Sequence, residues 1–320
     1  MTGPGSPPAA THAFSLAVEV AGLRFQNPIV LAAGTAAYGR EIHEVVALEA
    51  LGGLVTKAVS PRPRAGAPAP RVTVLGAGLM ANAVGLANPW LEAVRAHDLP
   101  WLAAHLRRAR VIVNVVGDTV EDYATVVAGL TGEAGVDAFE LNVSCPNVKA
   151  GGAEFGADPR TLAAVVQGAR RATARPLFVK LSPMLPDPAA SARVAVDAGA
   201  DAISVVNTVP GLAIDVERRR PALGFGTGGV SGSALLPVGV LATWKVRREV
   251  KVPVMGVGGV SRAEDALQYL IAGASLVGVG TAALRDPRAP ERIVRGLARW
   301  CRSRGVRTLD DLIGSLEWPA

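Results

Sequence analysis

The chain has 320 residues, half of them hydrophobic, which is enough for two ordinary domains or one large α/β barrel. Basic residues outnumber acidic ones by 33 to 27, a formal net charge of +6 carried almost wholly by arginine, because lysine occurs only five times. Aromatics are 4% and form no basic–aromatic stripe, which sets nucleic acid aside in favour of an anionic small ligand or a merely solvated basic face.

No apolar run approaches the ~18 residues of a membrane span, and two cysteines cannot build a disulfide framework. A soluble, cytoplasmic protein is expected. Residues 1–12 (MTGPGSPPAATH) are small and Pro/Gly-rich and read as a tail; residues 13–320 read as one domain. Along that domain eight apolar, β-branched runs recur: 28–33, 53–58, 110–116, 137–142, 177–182, 201–207, 253–258 and 275–280. Each is followed by a helix-compatible segment, and buried strands alternating with helices imply a parallel sheet covered on both faces. Eight such units favour a single closed (β/α)8 TIM barrel over an open sheet. Helices are expected over 159–172, 188–198 and 261–272, the last opened by Ser261 and Glu264 as a capping box. Three intervals, 59–100, 143–158 and 208–232, exceed simple βα loops and are expected as insertions at the C-terminal face, where such barrels place their chemistry. Within the first of them, residues 59–71 are Pro/Arg-rich and are expected to be extended.

The stretch 140–152, ELNVSCPNVKAGG, organises the rest. An apolar run climbs into Glu140, Leu141 and Asn142 and breaks at Cys145 and Pro146. Asn is depleted in strands, and a reactive thiol is usually presented on a loop held by a rigid scaffold. The stretch is therefore expected to form the floor and lid of an active site. Lys57 and Lys180 lie near the ends of predicted buried strands, where an unpaired charge is expensive, and Asn114, Asn142 and Asn207 lie in or close other strands. Each alone could serve a local backbone group; five on one rim describe a donor-rich pocket for a planar, carbonyl-bearing anion. Strand seven runs into Gly256, Gly258 and Gly259, and strand eight into Gly278, Gly280 and Thr281. After those two strands of a barrel, backbone N–H groups bind phosphate, and residues 226–232 (GTGGVSG) could add more. No GxxxxGK(S/T) motif is present, which disfavours nucleotide hydrolysis.

With these residues in view, the chain resembles the dihydroorotate dehydrogenases, specifically the soluble catalytic subunit of the NAD-linked class 1B type. The resemblance covers nearly the whole chain after the tail, through ELNVSCPNVKAGG, NAVGLANP (82–89), VKLSP (179–183), VVNT (205–208), TGGVSG (227–232) and the GVGGV/VGVGT pair. It implies a TIM barrel holding one FMN and oxidising dihydroorotate to orotate in pyrimidine synthesis. By position, the general base falls on Cys145. The substrate site falls on Asn82, Ala83, Val84, Gly85 and Leu86, completed by Lys57, Asn142, Asn207 and Thr208. Flavin contacts fall on Ala33, Lys57, Ala58, Asn114, Asn142, Lys180, Val206, Gly232, Gly258, Gly259, Gly280 and Thr281. Where related chains often carry Ser at the end of strand one, this chain has Ala33, which leaves any contact there to the backbone.

The implied chemistry removes a proton from substrate C5 and passes hydride from C6 to the flavin. A thiol of ordinary pKa, ~8.5, is mostly protonated at neutral pH, so turnover is expected to rise as Cys145 ionises. No metal is implied. A 2Fe-2S centre normally takes four cysteines, so FAD and that cluster are expected only on a partner subunit, in a heterotetramer built on a homodimer of this chain. The alternatives are a fumarate-linked relative, another FMN barrel acting on a pyrimidine base without a carboxylate, and a barrel that merely binds a phosphorylated metabolite.

Overall fold

The computed structural model describes residues 14–76, 78–144, 146–147 and 153–319. The tail over 1–12, Cys145 and residues 148–152 of the central motif lie outside the described residues. Each of the eight expected runs contains a strand: β1 Ile29–Leu31, β2 Gly53–Val55, β3 Arg110–Val115, β4 Ala138–Asn142, β5 Leu177–Leu181, β6 Ala202–Val205, β7 Val254–Val257 and β8 Leu276–Val279. Each pairs in parallel with its neighbour in sequence, and β8 pairs with β1 through Val277–Ile29, so the barrel closes and leaves no sheet edge. The runs are apolar throughout because a strand of such a barrel has the packed axis on one face and helices on the other.

Helices follow most strands: Leu99–His105 after β2, Val120–Leu130 after β3, Pro159–Ala172 after β4, Pro188–Asp197 after β5, Leu236–Glu249 after β6, Ala263–Ile271 after β7, and Thr281–Arg285 with Ala289–Ser303 after β8. Two of them begin alike. Asp158 and Asp187 accept hydrogen bonds from the first free backbone N–H groups, and Pro159 and Pro188 follow at a position that has no N–H to satisfy.

The structure corrects the sequence reading in several places. Between β1 and β2 no α-helix forms; turns and the 3-10 helix Leu48–Ala50 make the crossover. The capping carboxylate of Ala263–Ile271 is Asp265, not Glu264. Asp265 is buried and accepts from Ser261 N, Ser261 Oγ and Arg262 N, whereas Glu264 points outward beside Arg262. Gly256 does not face the mouth: a Cβ there would meet Tyr269 Cδ1 at 2.1 Å, so this glycine admits a helix side chain against β7. The long intervals also contain regular structure that the sequence reading left as loop. Val72–Gly76, Leu79–Asn82, Gly228–Gly232 and Val209–Gly211 form a four-stranded antiparallel sheet. The glycines of TGGVSG are there for close approach, since a Cβ on Gly229 would meet Thr208 Oγ1 at 2.0 Å and one on Gly232 would meet Gly78 O at 2.1 Å.

Gly256→Ala is expected to lower stability by about 1–3 kcal/mol, because the added methyl must displace the buried Tyr269 ring. Thermal unfolding checks this, and an unchanged midpoint would show that the contact is soft.

Candidate active site

At the C-terminal end of the barrel all eight strands deliver residues to one cavity of about 1170 Å³. β1 supplies Ala33, β2 supplies Lys57 and Ala58, and β3, β4 and β5 supply Asn114, Asn142 and Lys180. Val206, Asn207 and Thr208 follow β6, Gly258 and Gly259 follow β7, and Gly280 and Thr281 follow β8. Asn82, Ala83, Val84, Gly85 and Leu86 reach it from the antiparallel sheet, together with Gly232. The structure thus brings together every substrate and flavin residue implied by the resemblance that it describes, Cys145 lying outside the described residues, whereas Gly256 and Gly278 of the glycine-rich runs do not line the cavity.

The alternation of β4 sends Glu140 and Asn142 toward the barrel axis and Phe139 and Leu141 toward the helices. Asn142, Lys180 and Ser204 lie in register on adjacent strands, one polar row just below the mouth. Asn142 and Lys180 are only 7% and 6% exposed. The Asn142 main chain is anchored, its carbonyl accepting from Tyr123 Oη at 2.9 Å, but its side-chain Oδ1 is buried with no partner. The Lys180 ammonium likewise has no acceptor among the described residues. Buried polar atoms are almost always paired, so the row is built for a ligand that supplies the missing partners.

The asparagines do not all stand free. Asn114 donates Nδ2–H to the buried Glu140 at 2.7 Å, and Asn207 Oδ1 accepts from Thr208 N at 2.8 Å. The turn over 83–86 is held by Ala83 N donating to Arg71 O and Ala67 N to Val84 O, so the Pro/Arg-rich segment 59–71 acts as its scaffold. Leu86 holds a φ of 54°, uncommon for a side chain of its kind and frequent at ligand-contacting turns. At the far end Gly258 and Gly259 adopt positive φ, and Thr281 Oγ1 donates to Ser231 Oγ at 2.8 Å, tying the end of β8 to the antiparallel sheet.

Several lining residues were not singled out from sequence. Ser144, Glu154 and Ser182 form one wall, where Ser182 Oγ donates to Glu154 at 3.0 Å. Below the cavity, Glu140 was visible as the one acidic residue in an apolar strand. The serines carried no such signal, because their placement depends on strand register.

The cavity exceeds the ~300–1,000 Å³ of a typical small-molecule site and has room for a flavin mononucleotide beside a pyrimidine. Amides and an ammonium stand at one end and glycine backbone at the other, which fits the polarity of such a pair.

The sequence profile of a family described as dihydroorotate dehydrogenase matches residues 15–300. The chain belongs to the dihydroorotate dehydrogenase family. It is an oxidoreductase that converts dihydroorotate to orotate in pyrimidine synthesis. Among its relatives is the dihydroorotate dehydrogenase B (NAD(+)) catalytic subunit of Pelobacter propionicus, 46% identical over 94% of this chain and 98% of that one. Another is a putative dihydroorotate dehydrogenase A (fumarate) of Solibacter usitatus, 48% identical over 95% of this chain and 99% of that one. The fold is shared with the crystal structure of the Eimeria tenella dihydroorotate dehydrogenase in complex with ferulenol, at a TM-score of 0.78 and 23% identity over 94% of this chain and 88% of that one. Among the described residues no helix is long and apolar enough to cross a membrane.

Burial holds the Glu154 carboxyl above its ordinary value of 4.5, against the opposing effect of the Ser182 hydrogen bond. The folded protein then binds this proton more tightly than the unfolded chain does, so the group subtracts stability as pH rises from about 4.5 through its folded-state value. Glu154→Gln is expected to raise Tm at about pH 7.5, and the gain should vanish near pH 4. An equal difference at both pH values would exclude this origin.

Proposed function

We propose that this chain is the FMN-holding catalytic subunit of an NAD-linked, cytoplasmic dihydroorotate dehydrogenase, working as a homodimer with a partner subunit that carries FAD and a 2Fe-2S cluster. The observation that carries the cofactor assignment is the polar row with its unpaired Asn142 Oδ1, roofed by a sheet and facing glycine backbone at the far end. FMN, when bound, supplies the two-electron acceptor for the hydride leaving substrate C6. Asn114, Asn142 and Lys180 hold its ring, with Ala33, Ala58 and Val206 around it, and Gly232, Gly258, Gly259, Gly280 and Thr281 hold its phosphate. The Lys180 ammonium places positive charge where the reduced ring is electron-rich.

Lys57 pairs with the substrate carboxylate. Asn82 through Leu86, Asn142, Asn207 and Thr208 read its amide and carbonyl edges, and a ligand lacking matching groups would leave buried donors unpaired. Cys145 is the base that removes the C5 proton. The remaining cysteine, Cys301, is buried in Ala289–Ser303, and burial pushes its thiol up, as suits an inert side chain.

Two cysteines leave no means of holding a four-cysteine cluster on this chain, which supports the separate electron-transfer subunit, as does the phrase "catalytic subunit" in the names of relatives. A second reading, in which fumarate takes the electrons directly, is favoured by the name of the Solibacter relative.

The deciding experiment assays the purified, FMN-loaded chain with dihydroorotate. Reduction of NAD+ is expected only with the partner subunit present, and rapid turnover of the isolated chain with fumarate would replace the first reading by the second. In either case Cys145→Ala should lose at least ~10²-fold in turnover; full activity would remove Cys145 as the base. Asn82→Ala is expected to weaken orotate about tenfold while FMN stays bound, and loss of flavin instead would contradict its placement in the substrate loop.

A further inference from the structure

One acidic side chain stands inside the barrel, and the roles above give it no task. Glu140 is 1% exposed and lies on the inward row of β4, two residues before Asn142. Its register neighbours are Asn114 on β3 and Phe178 on β5. Asn114 donates Nδ2–H to its Oε1 at 2.7 Å. Among the described residues Glu140 enters no ion pair. A carboxylate this deep is costly to keep unless it is hydrogen-bonded and compensated by positive charge. Lys180, two residues beyond Phe178 on the adjoining strand, lines the cavity above it, as do Lys57 at the end of β2, Arg64 and Arg285.

The hydrogen bond has a chemical direction. An ionised carboxylate only accepts, so the NH2 of Asn114 must turn toward Glu140, and reversing the amide would set two oxygens against each other. The Asn114 Oδ1 is left on the opposite side, toward the cavity that Asn114 lines. With no carboxylate beneath it, the amide could present either end. The polarity of one contact in the cavity is therefore decided one layer below it.

We infer that Glu140 is a positioning residue for the cofactor: it holds Asn114 as a hydrogen-bond acceptor for the N–H of the flavin ring edge, and its negative charge opposes that of Lys180 in setting the potential of the bound flavin. This rests on the reading of the cavity as an FMN site. Glu140 touches the ligand only through Asn114 and through its field. It accounts for a buried acid in a strand that is otherwise apolar except for Asn142.

The test uses the full chain stripped of FMN and titrated with it, followed by measurement of the bound flavin's midpoint potential. Glu140→Asp keeps the charge but withdraws the acceptor from Asn114; it should weaken FMN about tenfold and leave the potential unchanged. Glu140→Gln removes the charge and should move the potential to a less negative value. Asn114→Ala combined with Glu140→Asp should bind FMN no more weakly than Asn114→Ala alone, because the acid acts through the amide. Should the neutral variant not fold, Glu140→Asp and the double variant still decide the matter. Wild-type affinity in Glu140→Asp, or losses that add in the double variant, overturns the inference. A wild-type chain that binds no FMN at all sinks the functional reading instead.

Discussion

Closure of the barrel is the constraint on which the rest depends. Once β8 pairs with β1, every strand finds its backbone partners inside one cylinder, and only the strand ends and the side chains at the mouth remain available for ligands. Polar side chains inside such a cylinder must be paired among themselves or matched by a ligand. The interior follows this rule layer by layer. Deep in the barrel, Glu140 is paired with Asn114, whose amide reaches the floor of the cavity. One layer higher, Asn142 and Lys180 are buried but left without side-chain partners among the described residues. The transition from paired to unpaired marks where protein ends and ligand begins.

The antiparallel sheet above the mouth completes the enclosure. It joins strands from two distant insertions, Leu79–Asn82 and Gly228–Gly232, in a register that sets Asn82 against Gly229. Asn82 Nδ2 donates to Gly229 O at 3.3 Å, and a larger residue at 229 would collide with Thr208. Two segments assigned to the substrate, those of Asn82 and Thr208, and one assigned to the cofactor, that of Gly232, are thereby held in one unit. Exclusion of water by such a roof strengthens every charge–dipole contact beneath it, which is why long insertions belong at this end of the fold.

Much of this could be read from sequence because the signals were chemical contrasts. Eight apolar runs in a chain of this length have few arrangements open to them, and a lysine or asparagine within such a run is conspicuous. The errors fell where identity alone does not specify geometry. Gly256 and Gly258 are two residues apart in one glycine-rich stretch, yet one packs against a tyrosine ring and the other lines the cavity, because β7 ends at Val257 and Gly258 turns away from the strand with a φ of 127°. The spacing from Ser261 pointed to Glu264 as the capping residue, but the helix phase turns its neighbour Asp265 inward instead. The roof was missed because its pairing joins strands about 150 residues apart, and nothing local in a short run such as LMAN names its partner.

The two halves of the reaction place different demands on the chain. Under the proposed assignment, removing a proton and a hydride from dihydroorotate draws on the row of amides and ammonium groups, so that apparatus is tied to the strand ends and to the core beneath them. Passing the electrons onward requires only that an acceptor, or a subunit carrying one, come close to the flavin, and surface residues suffice for that. Chains that share the first demand can therefore diverge in the second at few positions. Relatives 46% and 48% identical to this one bear names with different acceptors, although both are covered almost end to end. Identity over the whole chain therefore reports mainly on the barrel and its polar interior, which relatives of either name share, and does not by itself tell the acceptors apart.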